Sequence, residues 1–415
     1  MGLGGGHSTA MAVLEMVERI RGAWAKGNAA LGVFIDLKKA FDTVDHAVLL
    51  AKLEHYGIRG PALSLLESYL EGRSQYVVYG GVESGRGQVA CGVPQGSVLG
   101  PLFFLIYVND MARACDELDP VLFADDTNTY AEDEDVDRLF EKVNRGLEKL
   151  GRWFRCNRLT LNLKKTEFVY FGGPKGQELG GLGLVVGGQV IKQVEGARFL
   201  GVWVDEGLRW TTHIDRVKNK VSQLMGVIGR ASAVLGPGAL LSLYNGLVLP
   251  HLQYCLMVWG DFSGDGNGTR GAALLGLQKR FAGLISGTRG RYHADPLFAR
   301  QGILKVGDLY RQQVRVHAWR FWNHRLPTNQ AAMLERAESV HGYGTRGAGA
   351  RLYVSSRDHR AVGYRVPSEW AALSTELRGV KSLAAFKRAS RAGFIRDYRL
   401  FACGMRDCYV CGGAV

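Results

Sequence analysis

Asp125 and Asp126 stand side by side between two β-forming runs, Val121-Leu122-Phe123 and Thr127-Asn128-Thr129-Tyr130. Two adjacent carboxylates at the tip of a hydrophobic hairpin are costly to place unless a cation sits against them. A divalent metal suits them, because Mg²⁺ takes one or two carboxylates and leaves room for substrate phosphates. Alone, the pair reads first as a solvated turn between two strands. A third acid changes the reading. Leu31-Gly32-Val33-Phe34-Ile35 is an apolar, β-branched run that meets Asp36 where a helical pattern begins. Asp36 is therefore expected at a strand terminus, able to ligate a metal, with a helix N-cap as the plainer alternative. Asp42 and Asp45 read as structural. Thr43-Val44-Asp45-His46, followed by Val48, Leu49, Leu53 and Tyr56, looks like the capped start of an amphipathic helix.

Between the acidic segments lies Gly92-Val93-Pro94-Gln95-Gly96-Ser97-Val98-Leu99-Gly100-Pro101, a loop whose glycines and prolines fix unusual backbone geometry before the apolar helix Leu102 to Val108. A helix starting near Ser97 turns its N–H groups and positive dipole end toward whatever lies in front, which suits a phosphate or a base pair. A strand-end Asp, a Pro-Gln-Gly loop and a hairpin Asp-Asp, in this order with Asp36 and Asp125 89 residues apart, are far more specific together than singly. The set resembles the palm of non-LTR retrotransposon (LINE, jockey-like) reverse transcriptases. Leu161-Asn162-Leu163-Lys164-Lys165-Thr166-Glu167 and the apolar run after it are similar to that family's next palm motif. Phe199-Leu200-Gly201-Val202-Trp203-Val204-Asp205 is similar to its primer-grip hairpin, and Gly6-His7-Ser8-Thr9-Ala10 to the end of its finger motif. A looser likeness runs through Tyr254 to Gly260 and Pro296 to Tyr310.

The resemblance implies an RNA-directed DNA polymerase that extends a DNA primer on an RNA template. Two Mg²⁺ ions roughly 3.5–4 Å apart, with Mn²⁺ as a substitute, would lower the pKa of the primer 3′-hydroxyl and stabilise departing pyrophosphate. Asp36 and Asp125 would bridge the ions and Asp126 would assist. Phe41 stands where the family stacks an aromatic ring under the incoming sugar, which would exclude a 2′-hydroxyl. Gln95 and Gly96 would line the nascent pair, and Lys165 could donate a proton to pyrophosphate. Phe199, Leu200 and Gly201 would form the primer grip. The implied partners are an RNA template, a DNA primer or target, and deoxynucleoside triphosphates. Plainer readings exist for Phe41, a core aromatic, and for Lys165, a solvated lysine. Because the chain begins almost at Gly6-His7-Ser8 and no endonuclease precedes the palm, it reads as N-terminally truncated, lacking most of the fingers. The alternatives are a silent retroelement remnant that binds nucleic acid and an RNA-dependent RNA polymerase, the latter disfavoured by Phe41.

Composition agrees with a nucleic-acid partner. The net charge of +13 is unevenly spread: residues 1–175 carry 20 Lys+Arg against 23 Asp+Glu, and residues 176–415 carry 32 against 16. The acidic part holds the candidate metal site, and the basic part can hold phosphate backbone. No apolar run approaches the roughly 18 to 20 residues of a membrane span, and Met1 to Thr9 lacks a signal-peptide pattern. Gly6 stands where a myristoylation motif wants Ser or Thr. The chain is expected to be intracellular, in the nucleus, the cytoplasm or both. Seven cysteines, mostly single in apolar contexts, do not suggest a disulfide framework. In Cys403-x4-Cys408-x2-Cys411 the last pair has metal-knuckle spacing, but no His follows, so free thiols on a frayed tail are expected.

The expected fold class is α+β: a right-hand polymerase palm, an antiparallel sheet with packed helices, then an α-helical thumb and a C-terminal tail region. Residues 1–210 are assigned to palm with residual fingers, 211–330 to the thumb and 331–415 to a basic C-terminal region. Leu139, Phe140, Val143, Leu147, Leu150 and Phe154 form a helical core stripe. Gln75 to Cys91 reads as a hairpin turning at Gly80-Gly81. Gly172 to Gly188 reads as a flexible connection, Ala239 to Trp259 as one helix, and 331–415 as loosely packed. Basic and aromatic residues interleave from Tyr310 to Arg325, as a nucleic-acid grip or as an ordinary amphipathic helix.

Overall fold

The structure is a computed structural model that describes residues 8–94, 96–123, 126–173, 181–260, 269–288, 291–340, 351–400, 408, 410 and 411. Among these, residues 8–12 and 19–209 form one unit, and residues 13–18 and 210 onward form another.

Helix α1 (Thr9–Lys26), whose residues 13–18 fall in the second unit, starts under a cap, with the Met11 N–H donating to Ser8 Oγ, and stops at Gly27, whose φ of +83° is cheap only for glycine. Strand β1 (Ala29–Ile35) follows, then α2 (His46–His55) and α3 (Pro61–Leu70). A two-tier ribbon comes next, β2 (Ser74–Gln75) pairing with β5 (Gly87–Gln88) and β3 (Val78–Tyr79) with β4 (Val82–Glu83), turning at Gly80-Gly81, both at positive φ. After α4 (Leu99–Val108) come β6 (Asp119–Phe123), β7 (Asp126–Asp133), α5 (Val136–Cys156), β8 (Glu167–Phe171), β9 (Leu184–Val186), β10 (Gln189–Gln193) and the hairpin β11 (Gly196–Phe199) and β12 (Val202–Asp205).

Six strands make one sheet in the order β6-β7-β1-β8-β10-β9, antiparallel except where β10 runs parallel to β8. β1 lies inside the sheet and is buried at every position, which is why its sequence is continuously apolar instead of alternating. Leu31, Val33 and Ile35 share a core with Phe103 and Tyr107 of α4 and Phe140 and Leu147 of α5. Phe34, on the other face, meets the Phe199 ring at 6.2 Å, and there the Trp24 Nε1–H donates to Phe171 O. All six residues of the expected α5 stripe are buried. The Gly-rich connection behaves differently from expectation. Beyond residues 174–180, which lie outside the described residues, it contains β9, and Val185 N–H donates to Asn144 Oδ1 of α5.

The second unit is helical: α6 (Thr211–Ala231), α7 (Pro237–Leu243), α8 (Leu249–Gln253), α9 (Leu256–Trp259), α10 (Thr269–Ser286), α11 (Asp295–Gln301), α12 (Val306–Trp322), α13 (Thr328–Ala331), α14 (Ala337–Val340), α15 (Val362–Ala371), α16 (Thr375–Arg378) and α17 (Leu383–Leu400). The single helix expected over 239–259 is broken. Pro250 offers no N–H to the carbonyl of Gly246, a π-helical turn spans Tyr244–Val248 ahead of it, and Cys255 at φ +50° starts a new helix. Residues beyond 331 are better packed than expected. Trp370 of α15 and Phe386 of α17 are fully buried, and Trp319 Nε1–H of α12 donates to Val380 O. Pro367 inside α15 and its buried Arg365 interrupt the apolar pattern, which hides the helix from periodicity. The interleaved stretch resolves into the ordinary helix: Arg311 and Arg315 both pair with Glu369, while His317 and Trp319 are buried. Among the described residues, no helix is long and apolar enough to cross a membrane.

Candidate active site

The geometry begins with strand register. β6 and β7 pair with Phe123 facing Asp126; Ala124 and Asp125, between them in sequence, lie outside the described residues. β7 also pairs with β1, with Ile35 opposite Thr127. Continuing that register by one residue sets Asp36 opposite Asp126, a relation in which antiparallel neighbours bring their Cβ atoms to about 4.5–5.5 Å. By the period-two alternation of strands, both acids belong to the sheet face of Phe34 and Phe199. Asp126 is exposed and Asp36 half-buried.

Asp36 is gripped from the segment leading into β8. Asn162 Nδ2–H donates to Asp36 Oδ2 at 2.7 Å, and Asn162 N–H donates to Asp36 O at 2.8 Å. Asp36 N–H donates to Thr166 Oγ1 at 3.4 Å, and Leu37 bridges to Leu161. Lys165 sits in this loop with its N–H donating to Asn162 O and its side chain exposed.

Phe41 lies in a short 3-10 turn, Ala40–Thr43, half-buried and stacked on Phe104 of α4 with ring centroids 4.6 Å apart. The same turn holds the Pro-Gln-Gly loop. Val93 N–H donates to Phe41 O at 2.9 Å, Gly92 N–H donates to Val44 O at 2.7 Å, and His46 Nε2 lies 2.7 Å from Gly92 O. Gly92 is required there, since its φ is +88° and a Cβ would stand 2.8 Å from Asp42 O. Gly96 is exposed at φ +81°, and Gln95 lies outside the described residues. Ser97 Oγ donates to Pro94 O and accepts from Gly100 N–H, which closes the loop onto the start of α4. Asp45 caps α2 through Val48 N–H and pairs with Arg158. The Tyr107 hydroxyl, whose pKa burial raises, accepts from Asp45 N–H and donates to Asn157 O.

Phe199 is buried, and Leu200 and Gly201 form the two-residue turn of the β11–β12 hairpin, both at positive φ. That is the turn whose twist matches its strands, with Leu200 as its strained member. Register and loop pairing thus bring Asp36, Asp126, Lys165 and the Phe199 hairpin to β1 and its neighbours, while Phe41 and Gly96 are tied to each other's loops. Among the described residues no three His, Cys, Asp or Glu side chains form a metal cluster. Asp36 and Asp126 are nonetheless hard oxygen donors of the kind Mg²⁺ or Mn²⁺ takes. Sequence reasoning did not single out Asn162, Thr166 or His46. Asn162 and Thr166 were inside a quoted motif, but nothing in their spacing signals a contact with a residue 126 to 130 positions away. In the second unit, His293 Nδ1 lies 3.9 Å from Cys411 Sγ, and His293 N–H donates to Cys408 Sγ; Cys403 lies outside the described residues.

Residues 5–204 match the family model described as reverse transcriptase (RNA-dependent DNA polymerase). The chain is 28% identical over 266 residues to the RNA-directed DNA polymerase from mobile element jockey of Drosophila melanogaster, covering 61% of this chain and 28% of that protein. It is 28% identical over 298 residues to the probable RNA-directed DNA polymerase from transposon X-element of the same fly, covering 69% and 31%. The chain therefore spans less than a third of the length of either relative. A structure of telomerase from Candida albicans aligns with 74% of this chain and 54% of its own at 12% identity, with a TM-score of 0.36, too low to bear on the fold. Residues 5–204 thus carry a reverse transcriptase domain, and the chain is similar to the RNA-directed DNA polymerases of non-LTR retrotransposons.

Proposed function

We propose that this chain is the polymerase core of a retroelement protein and extends a DNA primer on an RNA template. The observation that carries the reading is the β1–β7 register, with Ile35 opposite Thr127, whose continuation by one residue puts Asp36 opposite Asp126. In this reading Asp36, Asp125 and Asp126 hold two divalent ions, Mg²⁺ in the cell. Such ions, when bound, favour deprotonation of the primer 3′-hydroxyl and offset charge on the leaving pyrophosphate. The protein's own groups do the rest. Phe41 limits the space beside the sugar, Gln95 and Gly96 face the nascent pair, and Lys165 supplies a proton to pyrophosphate. The β11–β12 turn seats the primer end. Residues 1–210 act as palm with part of the fingers, 211–330 as thumb and 331–415 as a basic C-terminal region. The protein works inside the cell, where RNA and a DNA primer meet.

The test is extension of a labelled DNA primer on an RNA template by the purified chain with deoxynucleotides and Mg²⁺. Extension is expected to stop with a chelator and to fall by at least about a hundredfold in Asp36→Asn, the scale of losing a transition-state charge contact. Synthesis that Asp36→Asn leaves intact, or none by the wild-type chain under any metal, removes the reading.

A further inference from the structure

The loop from Thr160 to Thr166 is laced to Asp36 on both sides. Lys38 N–H donates to Thr160 O at 2.9 Å on one side and Asn162 N–H to Asp36 O at 2.8 Å on the other. Asn162 is itself fixed, because its carbonyl accepts from Lys165 N–H, Thr166 N–H and Thr166 Oγ1, at 2.9, 2.9 and 3.1 Å. Its backbone is therefore held in place, and its side-chain amide stands 2.7 Å from Asp36 Oδ2. Only the NH₂ end of an amide approaches an ionised carboxylate at that distance, so the contact is a charge-assisted donation.

We propose that Asn162 is a positioning residue for metal binding: it pins Asp36 Oδ2 and leaves Oδ1 as the oxygen offered to a divalent cation. The inference rests on Asp36 being a metal ligand, as in the function proposed above. Lone carboxylates at strand ends sample several rotamers, and each costs part of the metal's binding free energy when it must be frozen. An amide that holds one oxygen beforehand removes that cost, in the way outer contacts orient metal ligands in other proteins. It also adds a link. Lys165 N–H donates to Asn162 O, so the candidate proton donor and the amide that aligns Asp36 sit in one hydrogen-bonded loop.

Mn²⁺ binding to the purified full chain, followed by electron paramagnetic resonance with no nucleotide or template, reads this without polymerase activity. Asn162→Ala is expected to weaken Mn²⁺ binding by about tenfold, at the lower end of losses from outer-contact removal. Its circular dichroism and melting temperature should stay near wild type. In primer extension the same variant should recover most of its rate at high Mg²⁺, because the missing quantity is metal occupancy; a merely structural defect would not respond to metal. If Asn162→Ala does not fold, Asn162→Leu keeps the volume, removes the donor and carries the same expectation. Unchanged Mn²⁺ affinity in a folded variant overturns the proposal, as does a wild-type Mn²⁺ site insensitive to Asp36→Asn or the absence of any such site. Mn²⁺ binding that depends on Asp36 and Asn162 in a chain that copies no RNA would instead keep this inference and remove the polymerase reading.

Discussion

Phe41 packs against the core and, in the proposed function, stands beside the incoming sugar, so one substitution should show in two readouts. Its ring stacks on Phe104 and packs against the sheet core, so truncation loses apolar contact whatever the chemistry. In the proposed function the same ring guards the sugar position. Phe41→Ala is therefore expected to lower stability by roughly 2 kcal/mol, below the cost of a fully buried Phe. It should also raise ribonucleotide use relative to deoxynucleotide use by about tenfold, the scale of one lost packing contact in a specificity pocket. Single-nucleotide incorporation with each sugar, beside a thermal melt, checks both. A second residue reports on pH. Burial lowers the pKa of His213 in α6 to about 4, where its ring lies edge-on to Trp259 at 5.1 Å. The unfolded chain, with an ordinary histidine pKa near 6.5, binds this proton more readily than the fold does. Stability is thus full above about pH 6.5 and declines as pH falls toward 4, by roughly 3 kcal/mol at most from this residue. A pH series of melts on wild type and His213→Phe should show a shallower slope in the variant between those values.

At the level of elements, the Pro-Gln-Gly loop depends on its pairing with the turn at Ala40–Thr43. Gly92→Ala forces a Cβ to within 2.8 Å of Asp42 O at a φ of +88°, so the loop must detach or shift. The expected cost is about 1–3 kcal/mol of strain or lost pairing, with a raised KM for deoxynucleotides, readable by denaturant titration and steady-state kinetics. The elements around the acids were legible because local chemistry announces them. The apolar run 31–35 ends on an acid, Asp45 stands at a helix start, and the α5 stripe keeps helical spacing. β9 was not legible, because three residues among glycines acquire strand character only by pairing with β10 and contacting α5. Nor was the break at Tyr244–Val248, where a π turn answers a proline several residues later. The Asn162–Asp36 contact was hidden for the same reason: it joins the loop before β8 to the end of β1, and one sequence carries no mark of it.

For the whole molecule, the excess of positive charge after residue 175 sets how it should meet nucleic acid. Binding to RNA is expected to weaken by about a thousandfold between 50 and 200 mM salt if about six phosphates are neutralised. Fluorescence anisotropy across that range measures the slope, and Asp36→Asn should leave it unchanged, since a carboxylate does not attract phosphate. The sheet adds a ranking of motions. β1 is hydrogen-bonded along both edges and buried at all its positions, while the ribbon of β2 to β5 is exposed throughout. An amide in β1 exchanges its proton only when neighbouring strands part, so this strand sets the slow limit for the first unit, and the ribbon opens long before it. Asp36 is carried at the tip of the segment that loosens last. A preparation in which the periphery already breathes would still hold that carboxylate in register with Asp126.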